Sequence, residues 1–438
     1  MPGIRVQIKD FRRSDTARDP AWRNSREGVA GMYQETIPWK ENRDEAEMPA
    51  YSLPELLVCS DGEKVVSREQ WQNKRRPELL KMFQEIMYGE IPPPPDRVRY
   101  TVLTEKKDAR NGLAIRREIR MDFIMDNGMR RMAIMLLYIP ADAQGKVPVA
   151  VSLTFGGNES ATDEDDVTMT GQMGKRDSSF LRPGGRVERW PIDDIMKRGY
   201  ALAICSYHDF FADTYDDRWM TSVYELFRNR EELDGRPRNA SAISAWAWGY
   251  SRMLDCLSEQ PEIDGGKALC VGHSRLGKTA LWAGVNDERF KVICVNDSGC
   301  GGAALSRRLF GETLFSMYHL SRIGYYWFND ELDSYIRHPE KLPFDQHELL
   351  ALAAPRVLCV HSATEDLWAD PKGEYLSLVK AGPAFRLYGK ETLDSETMPP
   401  PDTEAGTDVC YFLRTGEHSI LASDWTAYLN AADRIFRK

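Results

Sequence analysis

Hydrophobic and polar positions change rhythm twice along this chain. Residues 1–60 hold no sustained period; they are rich in Arg, Asp and Glu and punctuated by Pro20, Pro38, Pro49 and Pro54, which predicts an irregular arm lying over a core. Between 70 and 88 the apolar residues Leu79, Leu80, Met82, Phe83, Ile86 and Met87 recur at helical spacing. The run Ile91-Pro92-Pro93-Pro94-Pro95 ends that helix, because proline cannot continue it and pushes the residue before it into extended geometry. Alternation with a period of two follows at 97–104, 114–123 and 131–139, predicting antiparallel strands at the start of a sheet.

From Lys146 the rhythm becomes strand, helix, strand. Short apolar runs at 147–154, 200–206, 267–271, 290–296, 355–360 and 385–388 read as strands, the last of them closing the sheet. Helical segments at 242–257 and 279–285 intervene, and 424–438 ends the chain as an amphipathic helix carrying Trp425, Tyr428, Leu429, Ala432 and Phe436. Apolar strands separated by helices predict an α/β three-layer sandwich around a mostly parallel, doubly wound sheet. The expected division is an N-terminal arm and helix over 1–95, packed on a main domain over 96–438. Two connections, 158–190 and 301–350, exceed the usual few residues, and the second is expected to build a substrate site.

Composition narrows the classes. The chain has 438 residues, 42% hydrophobic and 29% charged, long enough for a full core and free of low-complexity tracts or internal repeats. A formal charge of −9 argues against nucleic acid or an anionic membrane as a partner, since both demand clustered Lys and Arg. No apolar run approaches the roughly 18 residues of a membrane span, and 1–40 lacks the apolar segment of an export signal. As written the chain is expected in the cytoplasm, or outside it with its signal removed. The eight cysteines form no C-x-x-C pair and several sit in apolar runs, which predicts buried thiols rather than disulfides or a metal site.

The most informative stretch is Gly272-His273-Ser274-Arg275-Leu276-Gly277-Lys278, between an apolar strand and a helix. A serine on such a turn projects its hydroxyl above the sheet edge, with the next backbone N–H free to hold an oxyanion. That is the nucleophile elbow of α/β-hydrolases in a variant form: the ordinary G-x-S-x-G has glycine two places after the serine, and here it stands three places after, at Gly277. Ser274 is the expected nucleophile. A serine hydroxyl needs a histidine to take its proton and a carboxylate to orient that histidine, in the chain order Ser, acid, His for this fold. His418, in Gly416-Glu417-His418-Ser419, lies between the last strand and the closing helix and is the expected base. His361 ends an apolar strand and reads as a buried side chain with its own partner.

Two aspartates follow strands at the correct edge. Asp366 lies where the fold usually supplies its acid and ranks first; Asp297 ranks second, as helper or structural hydrogen-bonding residue, with Glu365 third. Arg275 offers its backbone N–H, and its guanidinium, to the oxyanion. Cations at Arg275 and Lys278 are unusual at a helix N-terminus and suggest an anionic or hydroxyl-rich substrate.

With these residues in view the chain resembles the bacterial glucuronoyl esterases, carbohydrate esterase family 15. The matching text includes Ala242-Ile243-Ser244-Ala245-Trp246-Ala247-Trp248-Gly249, the elbow, Asn296-Asp297-Ser298-Gly299-Cys300-Gly301-Gly302, Ser306-Arg307-Arg308, Phe310-Gly311-Glu312, 363–373 and Asp424-Trp425, strongest over about 195–438. The resemblance implies cleavage of the ester between 4-O-methyl-glucuronate branches of plant cell-wall xylan and lignin alcohols, with no cofactor. It implies Ser274 as nucleophile, His418 as base and Arg275 as oxyanion stabiliser, with Lys278, Glu312 and Trp368 gripping the hydroxyls and ring of the uronate. Many members carry glutamate where this chain has Asp297, which shifts weight to Asp366. Fungal members bridge a cysteine before the nucleophile to one after the histidine; here those positions are His273 and Ser419. The alternatives are deacetylation of xylan on the same residues and a catalytically silent carbohydrate-binding relative.

Overall fold

The structure, a computed structural model, describes residues 41–171, 183–213, 222–228, 239–319 and 321–437. The reading of 1–40 therefore lies outside the described residues. The three alternating segments form an antiparallel meander of β1 (Arg97–Asp108), β2 (Ala114–Ile124) and β3 (Arg130–Pro140). β3 pairs antiparallel with β5 (Ala201–Ser206). Beyond it β4 (Val147–Thr154), β6 (Ile263–His273), β7 (Phe290–Asn296), β8 (Val357–Ala363) and β10 (Val409–Arg414) run parallel, and the two-residue β9 (Glu404–Ala405) closes the edge. The order across the ten-stranded sheet is β1-β2-β3-β5-β4-β6-β7-β8-β10-β9.

The parallel part of the sheet is buried on both faces, and the period of two in its strands sorts the core into two clusters. Val149 and Val151 of β4, Ala203 and Cys205 of β5, and Ala268 and Cys270 of β6 face one layer, with α1 (Ala242–Ser258), α2 (Arg275–Asn286) and α3 (Pro371–Arg386). Ala150, Leu202, Ile204, Leu269 and Val271 face the other, where the short helix Ile192–Lys197 and α4 (Ala422–Phe436) pack Ile195, Trp425 and Tyr428 against them. The arrangement is the three-layer α/β-hydrolase fold. All eight cysteines are buried and free. No described helix is long and apolar enough to cross a membrane.

Residues 42–95 belong to the same compact unit as the sheet. The helical stretch 68–88 opens on a Ser67–Gln70 capping box and buries Trp71, Leu79, Phe83, Met87 and Tyr88 in the first cluster. Tyr88 stacks on Trp282 of α2 at 4.6 Å and donates its hydroxyl to the Gly301 carbonyl at 2.9 Å.

One predicted strand is corrected. Residues 385–388 close α3 and its last turn, and the final parallel strand is β10, buried along its whole length. A four-residue apolar run fits a strand and a helix end equally; here Tyr375, Leu378, Val379 and Phe385 share a helical stripe that buries against the sheet.

Candidate active site

The elbow follows from crowding between β6, α2 and β7. Ser274 takes φ 57° and ψ −129°, a backbone region costly for a residue with a Cβ, and α2 begins at once with Arg275. The turn is held because the Ser274 N–H donates to the Asn296 carbonyl at 2.8 Å and the Ser274 carbonyl accepts from the Gly277 N–H at 2.8 Å. A Cβ on Gly272 would lie 1.9 Å from the Leu276 carbonyl oxygen, and one on Gly277 would lie 2.9 Å from that of Asn296. The glycine therefore stands three places after the serine, where α2 crosses the end of β7, and Leu276 turns into the core. Gly272→Ala is expected to destabilise the fold by roughly 3 kcal/mol, seen as a lower thermal midpoint; an unchanged midpoint would refute this account of the turn.

Because β6, β7, β8 and β10 are neighbours, the residues following them meet at one sheet edge. His418, in the loop after β10, places Nδ1 2.5 Å from Asp366 Oδ2, and its ring centroid lies 4.4 Å from that of His273, the residue before Ser274. The His418 side chain is 40% exposed and that of Asp366 only 4%, so the imidazole reaches the surface while the aspartate stays dry. Asp366 Oδ1 also accepts the Ala369 N–H at 3.3 Å.

Asp297 is differently placed. Its backbone has φ 44°, its N–H donates to the His361 carbonyl at 2.8 Å, and its carboxylate is buried with no hydrogen-bond partner among the described residues. Burial, reinforced by the Asp366, Glu374 and Asp424 carboxylates and opposed by Arg414, pushes its carboxyl well above the usual range. His273 Nδ1 lies 3.7 Å from Asp297 and 2.5 Å from Asn296 Oδ1, and burial beside His418 and Arg189 keeps the His273 ring neutral. Among the described residues, His273, Asp297 and His418 are the group whose potential metal-ligand atoms all fall within 4.8 Å of one another. Of these, His418 Nδ1 is already engaged by Asp366.

The cations at the start of α2 have partners that offset their position. Arg275 donates from Nη1 to Asp213 Oδ2 at 2.6 Å, with its guanidinium 4.8 Å from the Trp327 ring centroid and 5.5 Å from that of Phe155. Burial opposes its charge, but the Asp213 carboxylate outweighs it and holds the guanidinium above its ordinary pKa. Lys278 donates to Glu312 Oε2 at 2.8 Å and to the Ser298 carbonyl at 2.6 Å. The Glu312 N–H in turn donates to the Trp368 carbonyl at 2.7 Å, which brings Lys278, Glu312 and the half-buried Trp368 into one corner of the site. Glu365 is exposed and donates its N–H to the Gly416 carbonyl; it carries no contact to His418 among those the structure gives. His361 is buried, as expected, with Nδ1 3.2 Å from Asp424 and its ring stacked on Tyr428 at 3.9 Å.

Sequence reasoning missed two carboxylates. Asp213 accepts from Tyr207, Tyr326, Trp327 and Arg275, gathering three chain segments on one side chain. Glu374 accepts the N–H groups of Ser298 and Gly299 and the hydroxyls of Ser298 and Ser362, tying the ends of β7 and β8 together, while burial pushes its carboxyl up to about 7. Neither lies in a motif; the one available signal was an acid amid aromatic or small residues.

Comparison with known proteins places this geometry in a family. The model of the fungal glucuronyl esterases matches residues 196–389. The carbohydrate esterase MZ0003 of an unknown prokaryotic organism is 37% identical over 403 residues, covering 90% of this chain and 91% of that protein. The solved glucuronoyl esterase from Solibacter usitatus superposes with a TM-score of 0.82 at 35% identity, covering 89% of this chain and 99% of that one. A promiscuous CE15 esterase from a marine bacterial metagenome gives 0.81 at 35% identity, with 90% and 99% covered. The variant elbow, the sheet order and this likeness over nine tenths of the length agree: the chain belongs to the glucuronoyl esterases of carbohydrate esterase family 15, which are carboxylic-ester hydrolases.

Proposed function

We propose that this chain hydrolyses esters between glucuronate, including its 4-O-methyl form on glucuronoxylan, and alcohols such as those of lignin, through a covalent acyl-enzyme. His418 takes the Ser274 proton as the hydroxyl oxygen attacks the uronate carbonyl, and the resulting oxyanion is held at the start of α2 by the Arg275 N–H and guanidinium. His418 returns the proton to the alcohol as it leaves. Water, activated by the same imidazole, then frees glucuronate and restores Ser274. The observation that carries this reading is the 2.5 Å contact of His418 with the buried Asp366, beside the elbow, in a chain of this family.

Asp366 serves as the orienting acid, since it accepts from His418 Nδ1 and leaves Nε2 for the serine. Asp297, buried with its carboxyl pushed above the usual range, makes no hydrogen bond to His418 among the described residues. Lys278 and Glu312 supply fixed donors and acceptors for sugar hydroxyls, with Trp368 as the apolar face. The deciding comparison is kcat/KM for a benzyl glucuronate ester against an aryl acetate. A strong uronate preference is expected, and an acetate preference would replace this reading with xylan deacetylation. Glu312→Gln, which keeps shape and removes charge, is expected to raise KM for the uronate ester about tenfold with kcat nearly constant. A fall confined to kcat would remove Glu312 from the sugar subsite.

A further inference from the structure

The segment that carries His418 has little structure of its own, and one buried side chain holds it. Arg414 ends β10 with its guanidinium behind the loop. Its Nη1 donates to the Thr415 carbonyl at 3.1 Å, and its Nη2 donates to those of Glu417 at 2.5 Å and Ser419 at 2.8 Å. The carbonyls of the residues on either side of His418 are thus fastened to a single nitrogen. The first half of the loop has other ties, from the Gly416 N–H to Thr364 Oγ1 at 3.0 Å and from the Glu365 N–H to the Gly416 carbonyl at 2.9 Å. Among the described residues, the backbone of 417–419 makes no hydrogen bond except those to Arg414.

Arg414 is itself anchored. Its Nε donates to Asp424 Oδ2 at 3.1 Å, and this buried carboxylate at the start of α4 also accepts the Leu421 N–H at 2.9 Å and lies 3.2 Å from His361 Nδ1. A guanidinium suits the task because its donors fan out in one rigid plane toward several carbonyls; an ammonium carries the same charge without that fork. Near-attack geometry is sensitive: a displacement of about 1 Å at a catalytic group costs on the order of 100-fold in rate.

We propose that Arg414 is a positioning residue for the reaction: by gripping the carbonyls of Glu417 and Ser419, it sets the His418 imidazole against Ser274. This rests on His418 being the base. The test measures kcat, KM and thermal midpoint on a benzyl glucuronate ester for Arg414→Lys, Arg414→Ala and, as control, His418→Ala. Arg414→Lys keeps the charge beside Asp424 and is expected to fold, to lose roughly 10–100-fold in kcat and to hold KM within about threefold of wild type. Added guanidinium is expected to restore part of the Arg414→Ala rate, where an equal concentration of sodium chloride does not. A folded Arg414→Lys with wild-type kcat overturns the proposal, and so does a parallel loss of kcat, KM and stability without rescue. If neither Arg414 variant folds, Asp424→Asn, which frees the guanidinium from its anchor, decides by the same split between kcat and KM. An active His418→Ala would instead overturn the base assignment, whatever Arg414 does.

Discussion

Replacing Ser274 by alanine is expected to lower kcat on a glucuronate ester by roughly 10⁴–10⁶-fold, the range in which loss of a serine nucleophile leaves only binding and oxyanion stabilisation. Structure should survive the change. The bonds that hold the elbow run from the Ser274 N–H to Asn296 and from Gly277 to the Ser274 carbonyl, and both are backbone. Alanine inherits the same strained φ, so the thermal midpoint is expected to stay within a degree or two of wild type. An active wild type beside a silent, folded Ser274→Ala excludes a carbohydrate-binding relative without chemistry. A variant that still turns over would end the acyl-enzyme account.

The second large effect separates the two aspartates. Asp366→Asn is expected to reduce kcat by about 10³–10⁴-fold, because an amide can present its NH₂ to His418 Nδ1 and stabilise the tautomer that cannot accept the serine proton. Asp297→Asn is expected to cost less than about 30-fold. Burial pushes this carboxyl toward its neutral form, which an amide resembles in charge and shape, and its oxygens have no described hydrogen-bond donor to lose. Steady-state rates of the two variants, measured in parallel, decide the matter. If only Asp297→Asn collapses the rate, the acid comes from the strand after the elbow strand and Asp366 merely steadies the loop.

Much of the frame was readable because its signals are local. The apolar runs 147–154 and 290–296 coincide with β4 and β7, since a strand buried on both faces leaves a nearly continuous apolar stretch. The elbow was readable despite its shifted glycine because strand, serine and helix are adjacent in sequence. The last strand was misplaced by about twenty residues, because a run of four apolar residues says nothing about which partner covers it. Site residues separated the same way. Ser274, His418 and Asp366 could be ranked from chain order and strand ends, whereas the grip of Asp213 on Arg275 joins residues 62 positions apart with no motif around the aspartate. The partner of Arg275 was invisible for that reason, and its cation looked misplaced at a helix N-terminus until the carboxylate stood beside it.

The ring of His273, the residue before Ser274, meets that of His418 at 4.4 Å without a covalent bond, and every cysteine of the chain is a free thiol. The elbow turn and the His418 loop therefore meet here through ring contact, which neither forms nor breaks with electron transfer. A thiol reductant has nothing to cut at this centre, so turnover is expected to be the same in dithiothreitol as in air, a tolerance that a bridge-dependent esterase does not share.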